Sequence, residues 1–94
     1  MPRRAAEIVN EIRKVFTVNF LDPNKVRIVV GTNRVVISGE IQRLPGSDSP
    51  ILARTLTKLE VDLMSLRDVK FIRWTLDNWS NEAGQWRLIQ EKRA

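Results

Sequence analysis

Apolar residues recur at helical spacing in two stretches of the chain. In residues 3–16 they fall at i, i+4 and i+7 or i+8, which predicts an amphipathic helix with Pro2 in its first turn. A second helix is predicted over residues 50–66, with Ser49 as its N-cap and Pro50 as its first residue. It carries the most regular apolar stripe in the chain, which is formed by Leu52, Leu56, Leu59, Leu63 and Leu66.

Two stretches between the helices alternate apolar and polar residues, as β-strands do. "KVRIVV" (25–30) and "RVVISGEI" (34–41) are rich in β-branched residues and are separated by "GTN". Gly31 and Asn33 both tolerate positive φ, so a tight hairpin is predicted. Gly39 has no side chain to pack, and we expect it to mark a β-bulge or a point where a helix crosses close to the sheet.

The strand pattern returns after the second helix. Residues 68–79 alternate again, "SNEAG" (80–84) has the composition of a turn, and "QWRLIQE" (85–91) predicts a returning strand. The predicted order is therefore α-β-β-α-β-β. We predict one α+β domain over residues 1–94, frayed at its first and last three residues, with two helices packed on one face of a four-stranded, mainly antiparallel sheet.

The alternation also predicts which side chains share a face of the sheet. The helices are expected to cover the face that carries Val26, Ile28, Ile37, Trp74 and Leu88. Trp86, which faces the same way as Leu88, is expected to be a further packing residue. The opposite face is expected to carry Arg27, Val29, Arg34, Val36, Ser38, Phe71, Arg73, Thr75 and Arg87.

Three interpretations of this Arg-rich face stay open. Arginines interleaved with Phe71 suit a nucleic-acid backbone with a base stacked on the ring. They suit a protein partner equally well, because Arg and Phe are enriched in interface cores. The face is otherwise a solvated surface on which arginine stems cover apolar neighbours. Trp79 lies at a strand end, where it is either an exposed stacking or partner residue or a lid over the edge of the core.

The charge of the chain favours acidic partners. The net charge is +5 and the isoelectric point is about 10.5. Residues 1–58 hold ten Lys and Arg against five Asp and Glu, whereas residues 59–94 hold six of each kind. In a nucleic-acid-binding protein the Arg-rich face would therefore be assisted by Arg3, Arg4, Arg13 and Lys14.

Membrane insertion and export leave no sign in the sequence. The longest apolar runs are far shorter than the ~20 residues of a membrane-spanning helix. The first residues contain two arginines but no apolar core and no small-residue cleavage site, so we expect a cytoplasmic protein if Met1 is the natural start. Membrane-surface binding through the first helix is the least favoured hypothesis, because Glu7 and Glu11 reduce its attraction to anionic lipid.

The residue types for most catalytic chemistry are missing. The chain has no Cys, His or Tyr, which excludes disulfides, thiolate or imidazole nucleophiles and Cys/His metal sites. Asp22, Glu40, Asp48 and Asp62 are scattered and form no carboxylate pair that the sequence can locate in a cleft. No GxSxG, P-loop or GxGxxG motif is present. We expect no enzymatic activity, no cofactor, no metal and no small-molecule substrate.

The stretch from "AAEIVNEIRK" through "KVRIVVGTNRVVISGEI" resembles the start of a BON domain. Ser38, Gly39 and Ile41 occupy the last three fixed places of the family pattern "V-x-L-S-G-x-V", and the resemblance covers about residues 5–77. The chain is also similar to the ring-building modules of secretion-system scaffolds, which share an αββαβ layout. These resemblances imply a non-catalytic module that binds membranes, partner proteins or copies of itself.

The functional expectation is a small non-enzymatic interaction module. It would present one sheet face, or an edge strand at 25–30 or 85–91, to a protein partner or to a second copy of itself. The alternative is a nucleic-acid-binding protein that uses the Arg-rich face and the basic N-terminal helix. The candidate binding residues are Arg27, Arg34, Phe71, Arg73, Trp79 and Arg87.

Overall fold

A computed structural model describes residues 4–32, 34–82 and 84–89. The α+β class and both predicted helices are confirmed within this part of the chain. The predictions for Arg3, for the φ angle of Asn33 and for frayed ends lie outside the described residues. The elements are α1 (Ala5–Val18), a short 3₁₀ helix (Pro23–Lys25), β1 (Val26–Val30), β2 (Arg34–Gly39), α2 (Ala53–Met64), β3 (Phe71–Leu76), β4 (Trp79–Glu82) and β5 (Gln85–Leu88).

The second helix begins three residues later than predicted. Its N-cap is Leu52, whose backbone N–H donates to Thr55 Oγ1 at 3.4 Å, so the prediction that Ser49 caps it is wrong. The guanidinium group of Arg43 donates to the carbonyl oxygens of Ser49 and Pro50 at 3.0 and 2.9 Å. These bonds hold that segment in the preceding loop, where its carbonyl groups are satisfied by a side chain.

The sheet also differs from the prediction. β1 and β2 pair antiparallel, but β2 and β3 pair parallel, and the order β1-β2-β3 forms a three-stranded mixed sheet. β4 and β5 form a separate antiparallel hairpin, so the predicted four-stranded sheet is wrong. The connection through α2 is long enough to return the chain in the same direction, as a parallel pair requires.

The predicted strand at 68–79 is interrupted at Asp77 and Asn78. The side chain of Asn78 forms two hydrogen bonds with the backbone of Ile41: its Oδ1 accepts from the Ile41 N–H at 3.0 Å, and its Nδ2 donates to the Ile41 carbonyl at 2.9 Å. The side-chain amide thus takes the place of the backbone groups that would bond to Ile41 if the β2–β3 ladder continued. The chain leaves the sheet at this point and continues into the β4–β5 hairpin.

One core fills the space between the helices, the sheet and the hairpin. The stripe on α2 is buried at Leu56, Leu59 and Leu63, while α1 contributes Ile8, Ile12 and Phe16. The predicted packing roles of Trp74 and Trp86 are confirmed, because their rings meet edge to face with centroids 4.8 Å apart. This contact joins the hairpin to the sheet. The prediction that Leu88 also faces the core is wrong, since Leu88 is 53% exposed. No helix in the described part of the chain is both long and apolar enough to cross a bilayer.

Gly39 marks a close approach of two strands, and the predicted bulge or helix crossing is wrong. The β1–β2 register runs without an extra residue from Val26 opposite Gly39 to Val30 opposite Val35. Gly39 has a φ of 105°, and a Cβ atom placed on it would lie 2.5 Å from the carbonyl oxygen of Lys25. Only glycine fits this end of β2, since both the backbone angle and the space exclude a side chain.

Candidate functional site

The three-stranded sheet has one covered face and one uncovered face. Val35 and Ile37 point into the core and are fully buried, so their side is the closed face. The residues that alternate with them form the open face, whose members are Arg27, Val29, Arg34, Val36, Ser38, Phe71, Arg73 and Thr75. Apart from the half-buried Val36 and Ser38 on the central strand, these residues are exposed.

Strand pairing arranges the open face in three rows. Arg27 lies opposite Ser38, which lies opposite Thr75; Val29, Val36 and Arg73 form the next row; and Arg34 lies opposite Phe71 in the third. Neighbouring positions across a pair are close enough for their side chains to interact. Each row contains one arginine, so three arginines that are distant in sequence share this face.

The guanidinium groups of Arg27, Arg34 and Arg73 are available to a ligand. Within residues 4–32, 34–82 and 84–89 none of them has a hydrogen bond or an ion pair. The Cζ atom of Arg34 lies 5.8 Å from the centroid of the Phe71 ring, which is a cation–π arrangement. None of these strand residues is acidic, although Glu40 and Asp77 are exposed directly after the ends of β2 and β3. The strand residues of the open face therefore carry positive charge that they do not neutralise themselves.

The open face also exposes apolar surface. Val29 and Phe71 are each 55% exposed, although strand residues of this kind are ordinarily packed. They lie at opposite edges of the sheet, on β1 and β3. A ligand that lies across the strands would thus contact apolar groups as well as guanidinium groups.

The structure separates the residues that the sequence grouped into one candidate site. Arg27, Arg34, Phe71 and Arg73 lie together on the open face. Arg87 is exposed but belongs to the β4–β5 hairpin, where it pairs with Ser80 in the other sheet. The expectation that it joins the Arg-rich face is wrong, because that face does not extend into the hairpin.

Trp79 is a core residue. It is 6% exposed and belongs to the hydrophobic cluster, so the interpretation as an exposed stacking residue is wrong and the interpretation as a lid over the core fits. The break at Asp77 and Asn78 is the reason. It ends the alternation of β3, and β4 begins with a new orientation in which Trp79 faces inward.

The basic residues of the first helix do not reach the open face. α1 buries Ile8, Ile12 and Phe16 in the core, which lies on the closed side of the sheet. Arg4 and Lys14 are exposed on this helix, and Arg13 Nη2 donates to Asn24 Oδ1 at 2.7 Å. They therefore lie on the other side of the sheet from Arg27, Arg34 and Arg73.

A second cationic group was missed by reasoning from the sequence. Arg43, Arg54 and Lys58 line a surface depression between the end of α1 and the first turns of α2. These residues come from a loop and a helix, and no local periodicity links them. The one signal in the sequence is a pair of bulky apolar residues, Val18 and Phe20, at the end of a predicted amphipathic helix.

The comparisons with known proteins do not identify the chain. It matches no protein-family model, and comparisons with curated proteins and with solved structures gave no match. Within the described residues no three acidic side chains come together as ligands for a metal ion.

Proposed function

We propose that the protein is a non-enzymatic binding module whose open face holds an acidic segment of a partner protein. One observation carries the proposal: Arg27, Arg34 and Arg73 share an exposed sheet face whose strand residues include no carboxylate, and their guanidinium groups have no polar partner in the described part of the chain. A guanidinium group forms paired, charge-assisted hydrogen bonds with a carboxylate. An acidic ligand therefore supplies carboxylates as partners for these guanidinium groups.

The apolar residues of the face favour a polypeptide ligand. Val29 and Phe71 flank the arginines, and apolar side chains of a bound segment would cover them while its carboxylates meet the guanidinium groups. Arginine and aromatic residues are enriched in the same way at the centres of protein interfaces.

The size of the face favours an extended segment over a folded partner. Three strands spaced about 4.8 Å apart, with about five residues each, give a surface of roughly 14 by 17 Å, or about 240 Å². A standard protein–protein interface buries about 800 Å² on each partner. A short stretch of extended chain matches the smaller area.

The charge of the face disfavours its pairing with a second copy of itself. Two open faces stacked on each other would bring the guanidinium groups of Arg27, Arg34 and Arg73 against those of the other copy, and the strand residues of the face supply no carboxylate to separate them. Like charges in an interface oppose association. We therefore propose a partner of different sequence.

Single-stranded nucleic acid is the second candidate ligand. The guanidinium groups, which have no polar partner among the described residues, and the exposed ring of Phe71 favour it, since phosphates and bases bind to these two kinds of group. The open face has one aromatic residue, however, and the Arg34 guanidinium already lies over that ring at 5.8 Å. Single-strand binding uses several aromatic residues on which successive bases stack, so we rank the acidic segment first.

An amide-resolved NMR titration of the labelled full chain tests the proposal. The ligands are a deca-glutamate peptide, a deca-glutamine peptide as the uncharged control, and deca-thymidylate, each at low and moderate salt. We expect deca-glutamate to shift the amides of Arg27–Val29, Arg34–Ser38 and Phe71–Thr75, with weaker binding at moderate salt. Deca-glutamine should cause no shifts. Shifts confined to other residues, or none, would contradict the proposal, and tighter binding of deca-thymidylate to the same residues would assign the face to nucleic acid.

A further inference from the structure

The first helix ends in a backbone motif that normally requires glycine. The Leu21 N–H donates to the Phe16 carbonyl and the Phe20 N–H donates to the Thr17 carbonyl, both at 2.9 Å. This pair of bonds is the Schellman motif, in which the residue after the C-cap takes a left-handed conformation. Here that residue is Phe20, with a φ of 60°.

Folding does not explain a phenylalanine at this position. A bulky side chain is strained in the left-handed region, where glycine is not. Burial gives no compensation, because Phe20 is 63% exposed and the neighbouring Val18 is exposed as well. The motif fixes an aromatic ring at the surface, and strained residues of this kind cluster at functional sites.

Phe20 lines a depression together with three cationic residues. The depression has a volume of about 420 Å³ and is lined by Val18 and Phe20 at the end of α1, by Arg43 of the following loop, and by Arg54 and Lys58 of α2. We call it the Phe20 depression. It lies between the two helices, on the closed side of the sheet, and is therefore distinct from the open face.

Two of the three cations are already engaged. Lys58 Nζ donates to Asp62 Oδ2 at 2.8 Å and to Asn19 Oδ1 at 3.2 Å. Arg54 has no hydrogen bond or ion pair within the described residues. The guanidinium group of Arg43 donates to three backbone carbonyl oxygens, those of Asn19 (3.1 Å), Ser49 (3.0 Å) and Pro50 (2.9 Å).

We propose that the Phe20 depression binds a peptide segment that carries a single carboxylate beside a bulky apolar side chain. Arg54 would hold the carboxylate, while Phe20 and Val18 would contact the apolar group. One unengaged guanidinium matches one negative charge. A nucleic-acid strand carries a phosphate at every nucleotide and requires a track of free cations, which this depression does not offer.

Small fragments of such a peptide test the proposal by NMR on the labelled full chain. The probes are N-acetyl-leucine, which has both groups, N-acetyl-leucine amide, which lacks the charge, and acetate, which lacks the apolar group. We expect N-acetyl-leucine to shift the amides of Val18–Leu21 and Arg54–Lys58 in a saturable manner. The two partial probes should bind at least about tenfold more weakly, since each loses one of the two contacts.

Two variants separate binding from folding. Phe20→Gly removes the ring and fits the left-handed position, so it should melt at or above the temperature of the unaltered chain while it loses N-acetyl-leucine. Arg54→Gln should abolish the preference for N-acetyl-leucine over its amide. Arg67→Gln, which removes an exposed charge outside the depression, should change neither property.

Three results would overturn the proposal. The first is the absence of N-acetyl-leucine shifts at these residues. The second is that the Phe20→Gly variant still binds N-acetyl-leucine, or that the Arg54→Gln variant still prefers N-acetyl-leucine over its amide. The third is a set of shifts at the same amides with adenosine monophosphate but none with N-acetyl-leucine, which would identify a nucleotide site.

Discussion

The two faces of the three-stranded sheet are built from alternate residues of the same strands, yet they differ in what their side chains contact. On the closed face Val35 and Ile37 are fully buried beneath the helices. On the open face Arg27 and Arg73 are exposed and lack polar partners in the described part of the chain. Packing explains the first set completely and the second set not at all. Substitutions on the closed face should therefore change stability, and substitutions on the open face should change binding. The two kinds of position alternate along each strand.

The largest expected effect comes from a pair of adjacent residues on β2. Ile37→Ala removes a fully buried side chain and should lower the free energy of unfolding by about 2–5 kcal/mol. Val36→Ala, on the open face, should lower it by less than about 1 kcal/mol. Urea denaturation of both variants measures the difference. Equal losses would mean that both faces are buried, which contradicts the assignment of an open face.

The next effect concerns the close approach that ends β2. Gly39→Ala places a Cβ atom 2.5 Å from the Lys25 carbonyl oxygen in a left-handed position, and we expect a loss of about 2–4 kcal/mol. Gly46 has a φ of 90° but no atom within 4 Å of an added Cβ, so Gly46→Ala should cost only about 1 kcal/mol of backbone strain. A Gly39→Ala variant as stable as Gly46→Ala would show that the strands do not meet as described.

A double substitution on the open face should have almost no effect on stability. Replacement of Arg27 and Arg73 by Ser removes exposed groups that have no polar partner among the described residues. The midpoint of thermal unfolding should therefore correspond to a change below about 0.5 kcal/mol. The far-ultraviolet circular dichroism spectrum should be unchanged. If this variant unfolds, the arginines are structural and the open face is not a binding surface.

The smallest expected effect on stability comes from the ionisation of Asp62 on α2, on the closed side of the sheet. Hydrogen bonds from Lys58 and then from Asn19 lower the pKa of Asp62 below its usual value of 3.8. The resulting stabilisation is complete above about pH 4 and is lost as the pH falls through the lowered pKa. The pair is solvent-exposed, so we expect only a few tenths of a kcal/mol.

The variant Asp62→Asn isolates this contribution. Its urea midpoint should fall less than that of the unaltered chain between pH 6 and pH 3, because it has no carboxylate to protonate at this position. Identical pH dependence in the two proteins would show that the Lys58–Asp62 pair makes no contribution to stability.

The sequence was sufficient to predict the two faces because strand alternation is a local property. It separated Arg27, Arg34, Phe71 and Arg73 from the core positions of the same strands, and the leucine stripe identified the buried side of α2. These features depend on residues two to four positions apart, where the geometry of a strand or helix fixes the orientation.

The remaining features depend on contacts between distant residues. The end of β3 is set by Asn78, whose side chain bonds the backbone of Ile41, and no periodicity encodes that pairing. The burial of Trp79 follows from the same break. The start of α2 depends on the hydrogen bonds from Arg43 to the preceding loop. In these cases a polar side chain forms hydrogen bonds with backbone groups that a regular element would otherwise pair with its own backbone.

The central claim is that the arginines of the open face bind an acidic segment, and affinity measurements on two triple variants test it most directly. One variant replaces Arg27, Arg34 and Arg73 by Ser. The control replaces Lys14, Arg67 and Arg87, which are exposed but lie outside the open face, and so removes the same net charge. Fluorescence anisotropy with labelled deca-glutamate gives both affinities at moderate salt. We predict at least about a tenfold loss for the first variant and less than about threefold for the control. Equal losses would show that net charge alone holds the ligand and would contradict the claim.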